Sequence, residues 1–397
     1  MKILVVSLIL PWPQDEGARM RAGQTLKALT EVADVDLYCV LNVQRAKDPA
    51  PQPDDVTLRR VRLRPRPVGR WWARWRWVLP GGPPRTVAGW NKGLQADLHA
   101  WADPSYDVVW VLRAPTVAAV GFPAYGPVVV DLDDLEDQKA SERVAITKGL
   151  ASLSFRADAA RWRRWQRSIA SRAAAVVVCS EADRIRVGAS NAVVIPNGYT
   201  NPDTAEPEER PEGPPTILLQ GSLMRPPLVD AARVLVDEIL PIIRREIPDV
   251  EVDLVGESDE RVQELGKVPG VRVHGRVPSM APFLKTADLV AIPMRWGSGT
   301  RIKILEAFAH GIPVVSSTIG AEGLDAVDGR DILIADEPED FAAACVRVLR
   351  DAHLRQSLAA SAATLYAERY RWEPIRRLIG AVARDVADRV PSTTPAG

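Results

Sequence analysis

The feature that most constrains the fold of this chain is a repeated alternation of short apolar runs with longer segments of helical character. The apolar runs lie at 3–10, 35–40, 108–112, 128–132, 175–179, 192–195, 216–220, 250–255, 271–274, 289–293, 313–316 and 332–334. Uniformly apolar runs of this length are typical of strands that are buried on both faces of a parallel sheet. Because helices must cover those faces, the sequence predicts an α/β fold.

The segments between the runs predict the helices. A long helical stretch is expected over about 141–172, and further helices over 225–247, 300–310 and 341–350, with a last one after Trp372. Pro241 is expected to break or kink the helix in which it lies, because proline lacks the backbone N–H.

An acidic, proline-rich segment divides the two series of strands. Residues 201–215 read NPDTAEPEERPEGPP, which can continue neither a strand nor a helix. We interpret it as a linker between an N-terminal domain over 1–200 and a C-terminal domain over 216–370. The Ser/Thr/Pro tail over 391–397 is expected to be disordered.

Charge and cysteine content narrow the class of protein. The 51 basic and 51 acidic residues cancel, which argues against a nucleic-acid or other polyanion binder. Cys39, Cys179 and Cys345 form no CxxC pair and are expected to be buried free thiols, as in a reducing cytoplasm. The first apolar run stops at Pro11 without a cleavage site, and no run reaches the roughly 20 residues that span a bilayer. A soluble or peripheral cytoplasmic protein is expected.

The strongest functional signal is the segment 291–311, AIPMRWGSGTRIKILEAFAHG. A glycine-rich loop between a strand and a helix start presents inward-facing amides, which bind anions. Arg301 and Lys303 add cations in a first turn where the helix dipole normally favours acids. A bound diphosphate would explain why cations stand in this turn in place of acids. Glu306 would then be placed to accept hydrogen bonds from both hydroxyls of a ribose. The alternative for Glu306 is an exposed position on an amphipathic helix.

This segment and its neighbours resemble family-four glycosyltransferases of the GT-B fold. GSGTRIKILEAFAHGIPVVSSTIGAEGL (297–324) resembles their donor-binding segment, and 179–199, 221–257 and 274–293 resemble further parts of the pattern in the same order. The resemblance implies two Rossmann-like domains facing a central cleft, with a final helix over 371–390 that crosses back to the N-terminal domain. It also implies transfer of a glycosyl group from a nucleoside diphosphate sugar, UDP- or GDP-linked, to an acceptor hydroxyl, with retention and with no metal or other cofactor.

The resemblance also implies roles for individual residues. Glu306 would bind the donor ribose, amides at 300–302 the diphosphate, and the turn at 275–277 the nucleobase. The donor-binding residues implied in this way are Gly17, Gly221, Ser222, Arg276, Val277, Gly297, Ser298, Gly299, Thr300, Arg301, Ile302 and Glu306.

The chain departs from the family pattern at two places in this site. Many members carry a first glutamate eight residues before the second, where this chain has Ser298, so the identity of the sugar stays open. Many also carry an arginine directly after the glycine that corresponds to Gly221, where this chain has Ser222. We expect Arg225, Arg301 and Lys303 to supply the positive charge that stabilises the leaving diphosphate instead, with Arg225 and Lys303 as catalytic residues. A surface position is the alternative for Arg225.

The acceptor side is predicted in the N-terminal half. Gly17 lies at a strand-to-helix turn, and Arg19 and Arg21 follow it on the side expected to hold acceptor or phosphate. After the fourth strand, VVVDLDDLEDQK (128–139) places several acids at one strand end. Many family members have a histidine at about Asp133, so we expect Asp133 or Asp134 to act as the catalytic carboxylate. A polar loop with a capping aspartate is the alternative.

A cluster of aromatic and basic residues raises the question of membrane contact. RWWARWRWVLP (70–80) contains Trp71, Trp72, Trp75 and Trp77 among three arginines, a composition that suits the headgroup region of a bilayer. Peripheral contact at the inner face of the membrane would suit a lipid-linked acceptor, although glycan and small-molecule acceptors also fit. A loop packed on its own domain and an aromatic sugar platform are the alternatives.

Two other functions remain compatible with the sequence. Nucleotide-sugar 2-epimerases share the fold and would form product without an acceptor. A non-catalytic nucleotide-sugar binder would explain the missing first glutamate and histidine. Against these, the pattern favours a glycosyltransferase of bacterial glycan, glycolipid or secondary-metabolite biosynthesis.

Overall fold

The computed structural model describes residues 1–14, 17–41, 51–65, 84, 92–200, 213–297, 299 and 301–389. The chain divides into two compact units, Met1–Asn197 with Trp372–Gly397, and Gly198–Arg371. Each unit contains one parallel sheet with helices, so the predicted α/β fold is confirmed. Most of the predicted linker, the predicted tail and the four tryptophans of 70–80 lie outside the described residues.

The sheet of the first unit has the order β3-β2-β1-β4-β5-β6-β7, and every pairing is parallel. Its strands are β1 (Lys2–Ser7), β2 (Asp34–Leu41), β3 (Arg60–Pro65), β4 (Val108–Leu112), β5 (Val128–Asp131), β6 (Ala175–Val178) and β7 (Ala192–Val194). Ile3 and Val5 join the core on one face, whereas Leu4 and Val6 join the core on the other. Burial on both faces explains why β1 is apolar throughout.

The helices of the first unit correct one prediction. They are α1 (Gly17–Thr30), α2 (Lys92–Trp101), α3 (Ala114–Val120), α4 (Glu136–Ile146), α5 (Leu150–Ala170) and α6 (Glu181–Val187). The long helical stretch predicted over about 141–172 is therefore two helices, α4 and α5, and the first begins before residue 141. The chain breaks before α5 at Gly149, whose φ of 68° lies in the left-handed region that glycine adopts at little cost.

Strand β3 was not predicted. Its sequence RVRLRP alternates arginine with apolar residues, and among the described strands it pairs only with β2, as an edge strand does. Arg60 anchors it, because its Nη2 donates to the fully buried Asp36 carboxylate at 2.8 Å. The Tyr106 hydroxyl donates to the same carboxylate at 2.7 Å. Because ion pairs stabilise this edge strand, it does not need the uninterrupted apolar run of a strand that is buried on both faces.

The sheet of the second unit has the order β10-β9-β8-β11-β12-β13, again parallel in every pairing. Its strands are β8 (Thr216–Gln220), β9 (Glu251–Val255), β10 (Val271–Gly275), β11 (Leu289–Ile292), β12 (Val314–Ser316) and β13 (Leu333–Ile334). Its helices are α7 (Pro226–Arg233), α8 (Leu240–Ile243), α9 (Glu260–Gln263), α10 (Ala281–Thr286), α11 (Ile302–Ala309), α12 (Thr318–Ala321), α13 (Pro338–Arg350) and α14 (Ala352–Leu365).

The helical segment that contains Pro241 is irregular, as predicted. A π turn at Val234–Ile239 joins α7 to α8, and Pro241 is the second residue of α8. Because proline cannot donate the usual backbone bond and its ring crowds the preceding turn, a wider turn before it relieves the clash.

The last helix, α15 (Trp372–Asp388), belongs to the first unit, as expected. Ile375 and Ile379 share a hydrophobic core with Leu26 of α1, and the Arg376 guanidinium donates to the Gln24 side chain at 2.8 Å. All three cysteines are buried and free, as predicted. Among the described residues, none of the helices combines the length and apolar composition needed to cross a bilayer.

Candidate functional site

The carboxyl ends of three neighbouring strands in the second unit meet through glycines. Gly221 follows β8, Gly256 follows β9 and Gly275 ends β10, with φ of 132°, 141° and 65°. The Gly221 N–H donates to Val255 O at 2.9 Å, and the Gly256 N–H donates to Gly275 O at 2.8 Å. A Cβ on Gly256 would lie 1.7 Å from Gly221 O, so only glycine allows this approach.

The glycine-rich loop leads into α11 at a later point than predicted. The helix begins at Ile302 rather than near Thr300, and Arg301 is its N-cap residue. Gly297 has a φ of 134°, and a Cβ there would lie 2.7 Å from a neighbouring methionine methyl group. Gly299 has a φ of 92°. The predicted donor residues Ser298 and Thr300 lie outside the described part of the chain.

The side chain of Arg301 has a different role from the one expected. It is 2% exposed, and its Nη2 donates to Gly297 O at 3.1 Å and to Ile319 O at 2.7 Å. The guanidinium thus holds the glycine-rich loop against the segment after β12. These bonds do not support direct contact of the Arg301 side chain with a diphosphate. The backbone amides of Arg301 and Ile302 lie at the start of the helix.

Lys303 lies beside the end of β8 among other cations. A Cβ on Gly221 would lie 3.4 Å from its Cε. Burial, together with the charges of Arg301 and Arg225, lowers the pKa of Lys303 to about 7, although Glu306 acts in the opposite direction. Arg225 is exposed at the start of α7. Because these cations repel one another, an anion bound among them would relieve the repulsion.

Ser222 and Arg225 define the short loop after β8. Ser222 is exposed, and its carbonyl accepts a bond from the Arg225 N–H at 3.0 Å. The loop therefore turns tightly and presents Arg225 at the same strand end as Lys303. After β10, two strands away from β8 in the sheet, Arg276 is exposed and Val277 packs partly against the core. The turn expected to face the nucleobase is therefore open at Arg276.

Glu306 lies one turn beyond Lys303 on α11 and is held by two neutral donors. The Tyr199 hydroxyl donates to its Oε1 at 3.1 Å, and the Gln220 side chain also bonds to it. Burial raises the pKa of Glu306, whereas these two hydrogen bonds and the Lys303 charge lower it. Sequence reasoning did not identify Tyr199 or Gln220, because both lie far from Glu306 along the chain.

In the first unit, Arg21 is a structural residue. It is 1% exposed, and its Nε lies 3.0 and 3.1 Å from the two oxygens of Asp131, at the end of β5. Its Nη1 donates to the Asn197 side-chain oxygen at 2.8 Å. The expectation that Arg21 faces acceptor or phosphate is therefore corrected. Arg19 is buried too, and Gly17 is the first residue of α1.

The ion pair of Arg21 and Asp131 supports Asp133. The Asp133 N–H donates to Asp131 Oδ1 at 3.1 Å, and the Asn197 Nδ2 donates to Asp133 Oδ1 at 3.2 Å. Asp133 has a φ of 55°, a conformation uncommon outside glycine that aspartate tolerates. Burial and the neighbouring Asp134 raise the pKa of Asp133 to about 6. Asp134 pairs with Lys139 at 3.1 Å.

The comparisons with known proteins agree with this geometry. The family model described as glycosyl transferases group 1 matches residues 214–351, which include the donor segment. A phosphatidyl-myo-inositol mannosyltransferase of Mycobacterium leprae is 30% identical over 303 residues, 73% of each chain.

Solved structures share the fold. Sucrose-phosphate synthase from Thermosynechococcus elongatus superposes with a TM-score of 0.71 at 18% identity, over 98% of this chain and 100% of that one. HepE from Anabaena, in complex with UDP and glucose, superposes with a TM-score of 0.63 at 16% identity, over 97% of this chain and 100% of that one. The chain belongs to the group 1 glycosyltransferases and has their GT-B fold.

Proposed function

We propose that this chain transfers a glycosyl group from a nucleoside diphosphate sugar to a hydroxyl of a glycan or glycolipid acceptor. The observation that carries the proposal is the pairing of Lys303 and Glu306 on one face of α11, three residues apart. The cations around Lys303 suit a diphosphate, and the carboxylate of Glu306 suits the hydroxyls of the attached pentose. The two groups would thus bind adjacent parts of one ligand.

The start of α11 supports a diphosphate ligand. Its first N–H groups have no partner within the helix and carry the positive end of the helix dipole, so they attract phosphate oxygens. The glycines on both sides of this edge let backbone approach a ligand closely. We propose UDP or GDP as the nucleotide, and the HepE complex with UDP and glucose supports a uridine nucleotide.

The same cations would stabilise the leaving group. As the bond between the sugar C1 and the diphosphate oxygen breaks, negative charge builds on the diphosphate, and Lys303 and Arg225 would stabilise it. Each charge-assisted contact of this kind lowers a barrier by roughly 2–4 kcal/mol. The acceptor oxygen forms the new bond to C1 and loses its proton. We propose that no metal or other cofactor is needed and that the anomeric configuration is retained.

We propose a lipid-linked polyol as the acceptor. The relative from Mycobacterium leprae is named a phosphatidyl-myo-inositol mannosyltransferase, which supports this class. Asp133, with a pKa of about 6, is mostly ionised at neutral pH and is suited to accept the proton that the acceptor hydroxyl loses. Peripheral membrane contact through Trp71, Trp72, Trp75 and Trp77 would bring the chain to such an acceptor.

The test is a transfer assay with UDP- and GDP-linked sugars, with and without vesicles that contain phosphatidylinositol. We expect release of the nucleoside diphosphate and labelling of the lipid only when donor and vesicles are both present, and co-sedimentation of the protein with the vesicles. NMR of the product should show the anomeric configuration of the donor. An epimerised donor formed without acceptor would contradict the proposal, and labelling of soluble polyols alone would contradict its lipid part.

A further inference from the structure

Tyr199 is the second residue of the second unit, and the backbone around it is fixed from two sides. Its N–H donates to Tyr370 O at 2.9 Å, and its carbonyl accepts a bond from the Tyr366 hydroxyl at 3.0 Å. A β-bridge joins Tyr199 to Arg371, the last residue of the same unit. The residue is 8% exposed. Its position therefore leaves the phenol ring little freedom.

The phenol ring lies against α11. Its centroid is 6.5 Å from the ring of His310, one turn beyond Glu306, and 6.5 Å from the ring of Tyr366. The hydroxyl at the far end of the ring donates to Glu306 Oε1 at 3.1 Å. A buried tyrosine hydroxyl usually has a hydrogen-bond partner, and a neutral acceptor would satisfy it. Here the acceptor is an ionisable carboxylate.

Gln220 is the second donor to the same carboxylate. It ends β8 and is 1% exposed, and its Nε2 also donates to the Lys303 carbonyl at 3.0 Å. A carboxylate has about four acceptor positions on its two oxygens. With Tyr199 and Gln220 as the donors that the described residues supply, about two positions stay open, which matches the two adjacent hydroxyls of a ribose.

We propose that Tyr199 is a positioning residue for nucleoside recognition: its hydroxyl orients Glu306 and keeps it ionised, so that the carboxylate accepts from both ribose hydroxyls. This inference rests on the proposed function. Without the phenol hydroxyl, burial would favour the protonated carboxyl, which offers fewer acceptor positions, and the side chain would lose its fixed rotamer.

The test compares Tyr199→Phe with wild type in calorimetric titrations at pH 7.5. The ligands are UDP, GDP and the 2′,3′-dideoxy form of each. We expect Tyr199→Phe to bind the ribonucleotide about tenfold more weakly, the effect of losing one hydrogen bond to a charged group. It should bind the dideoxy form as wild type does, because that ligand has no ribose hydroxyls for Glu306 to accept.

Tyr370→Phe is the matched control. Tyr370 is a buried tyrosine of the same unit whose hydroxyl accepts from the Asp325 N–H at 2.8 Å and does not reach Glu306. This variant should keep wild-type affinity for both forms of the ligand.

Three outcomes would overturn the inference. If Tyr199→Phe and wild type bind the ribonucleotide with equal affinity, the inference about Tyr199 is wrong, whereas the proposed donor site is unaffected. An equal loss for the ribonucleotide and the dideoxy form would show that Tyr199 has a general structural role. If wild type binds neither UDP nor GDP, the proposed donor site is wrong and the inference falls with it.

Discussion

Lys303 and Glu306 lie one turn apart on α11, and burial shifts the pKa of each side chain in the direction that favours its neutral form. The pKa of Lys303 falls to about 7, and the pKa of Glu306 rises. A diphosphate favours the charged lysine, and a ribose diol favours the charged glutamate. Donor binding should therefore weaken as pH rises through the pKa of Lys303 and as it falls through that of Glu306.

The alkaline side gives a direct prediction. Between pH 7 and pH 9 the affinity for a nucleoside diphosphate should fall by up to about tenfold per pH unit, because binding must first protonate Lys303. Calorimetry in two buffers of different ionisation enthalpy should show proton uptake on binding at pH 8. Lys303→Met should bind more weakly and take up no proton. The same affinity at pH 7 and pH 9 in wild type would contradict this account.

Local sequence was sufficient to place Lys303 and Glu306 on one helix that follows the glycine-rich loop. It was not sufficient for the residues that hold them. Tyr199 is 107 positions from Glu306, and Gln220 is 83 positions from Lys303, whose carbonyl it contacts. Arg21 was misassigned because nothing near it in sequence indicates its pairing with Asp131, 110 positions away.

At the scale of elements, the ends of β8, β9 and β10 are joined through three glycines. Gly256 is the tightest of these contacts, since a Cβ there would lie 1.7 Å from the Gly221 carbonyl. Any side chain at this position must push Gly221 away from β9, and Gly221 lies against Lys303. The geometry of the donor edge therefore depends on the absence of a side chain at Gly256.

Gly256→Ala should abolish nucleoside diphosphate binding and destabilise the second unit by about 2–4 kcal/mol, through overpacking and backbone strain. Gly329→Ala is the control, because Gly329 also has a positive φ, of 74°, but has nothing within 4 Å of an added Cβ. That variant should lose only about 1 kcal/mol and keep its affinity. Urea unfolding and calorimetric titration measure the two effects. Wild-type affinity in Gly256→Ala would show that the strand ends do not shape the site.

The elements that the sequence predicted well are the strands buried on both faces, because burial demands an uninterrupted apolar run. β3 was missed because its edge position is stabilised by arginine–aspartate pairs instead. The helical stretch over about 141–172 is helical on both sides of Gly149, but the break at this glycine was not predicted, because the helical pattern continues on either side of it.

At the scale of the whole molecule, two α/β units in tandem were predicted from the two series of apolar runs and the proline-rich segment between them. The final helix joins the first unit although it follows the second in sequence. The contacts of its apolar face with α1 explain this return: Ile375, Ile379 and Ala383 are fully buried in the core that contains Leu26. Sequence periodicity predicts that such a face exists but not which unit it covers.

The central claim is that the second unit binds a nucleoside diphosphate through α11, with Glu306 on the ribose. The most direct test is a titration of wild type, Glu306→Ala and the control Glu368→Ala, an exposed glutamate of the same unit, with UDP and GDP. We predict binding by wild type and by Glu368→Ala, and affinity at least about 100-fold weaker in Glu306→Ala, because the ribose hydroxyls lose a charged acceptor. The free energy of unfolding of Glu306→Ala should fall by about 1–3 kcal/mol, because the buried Tyr199 and Gln220 donors lose their acceptor. Undiminished binding by folded Glu306→Ala would contradict the account.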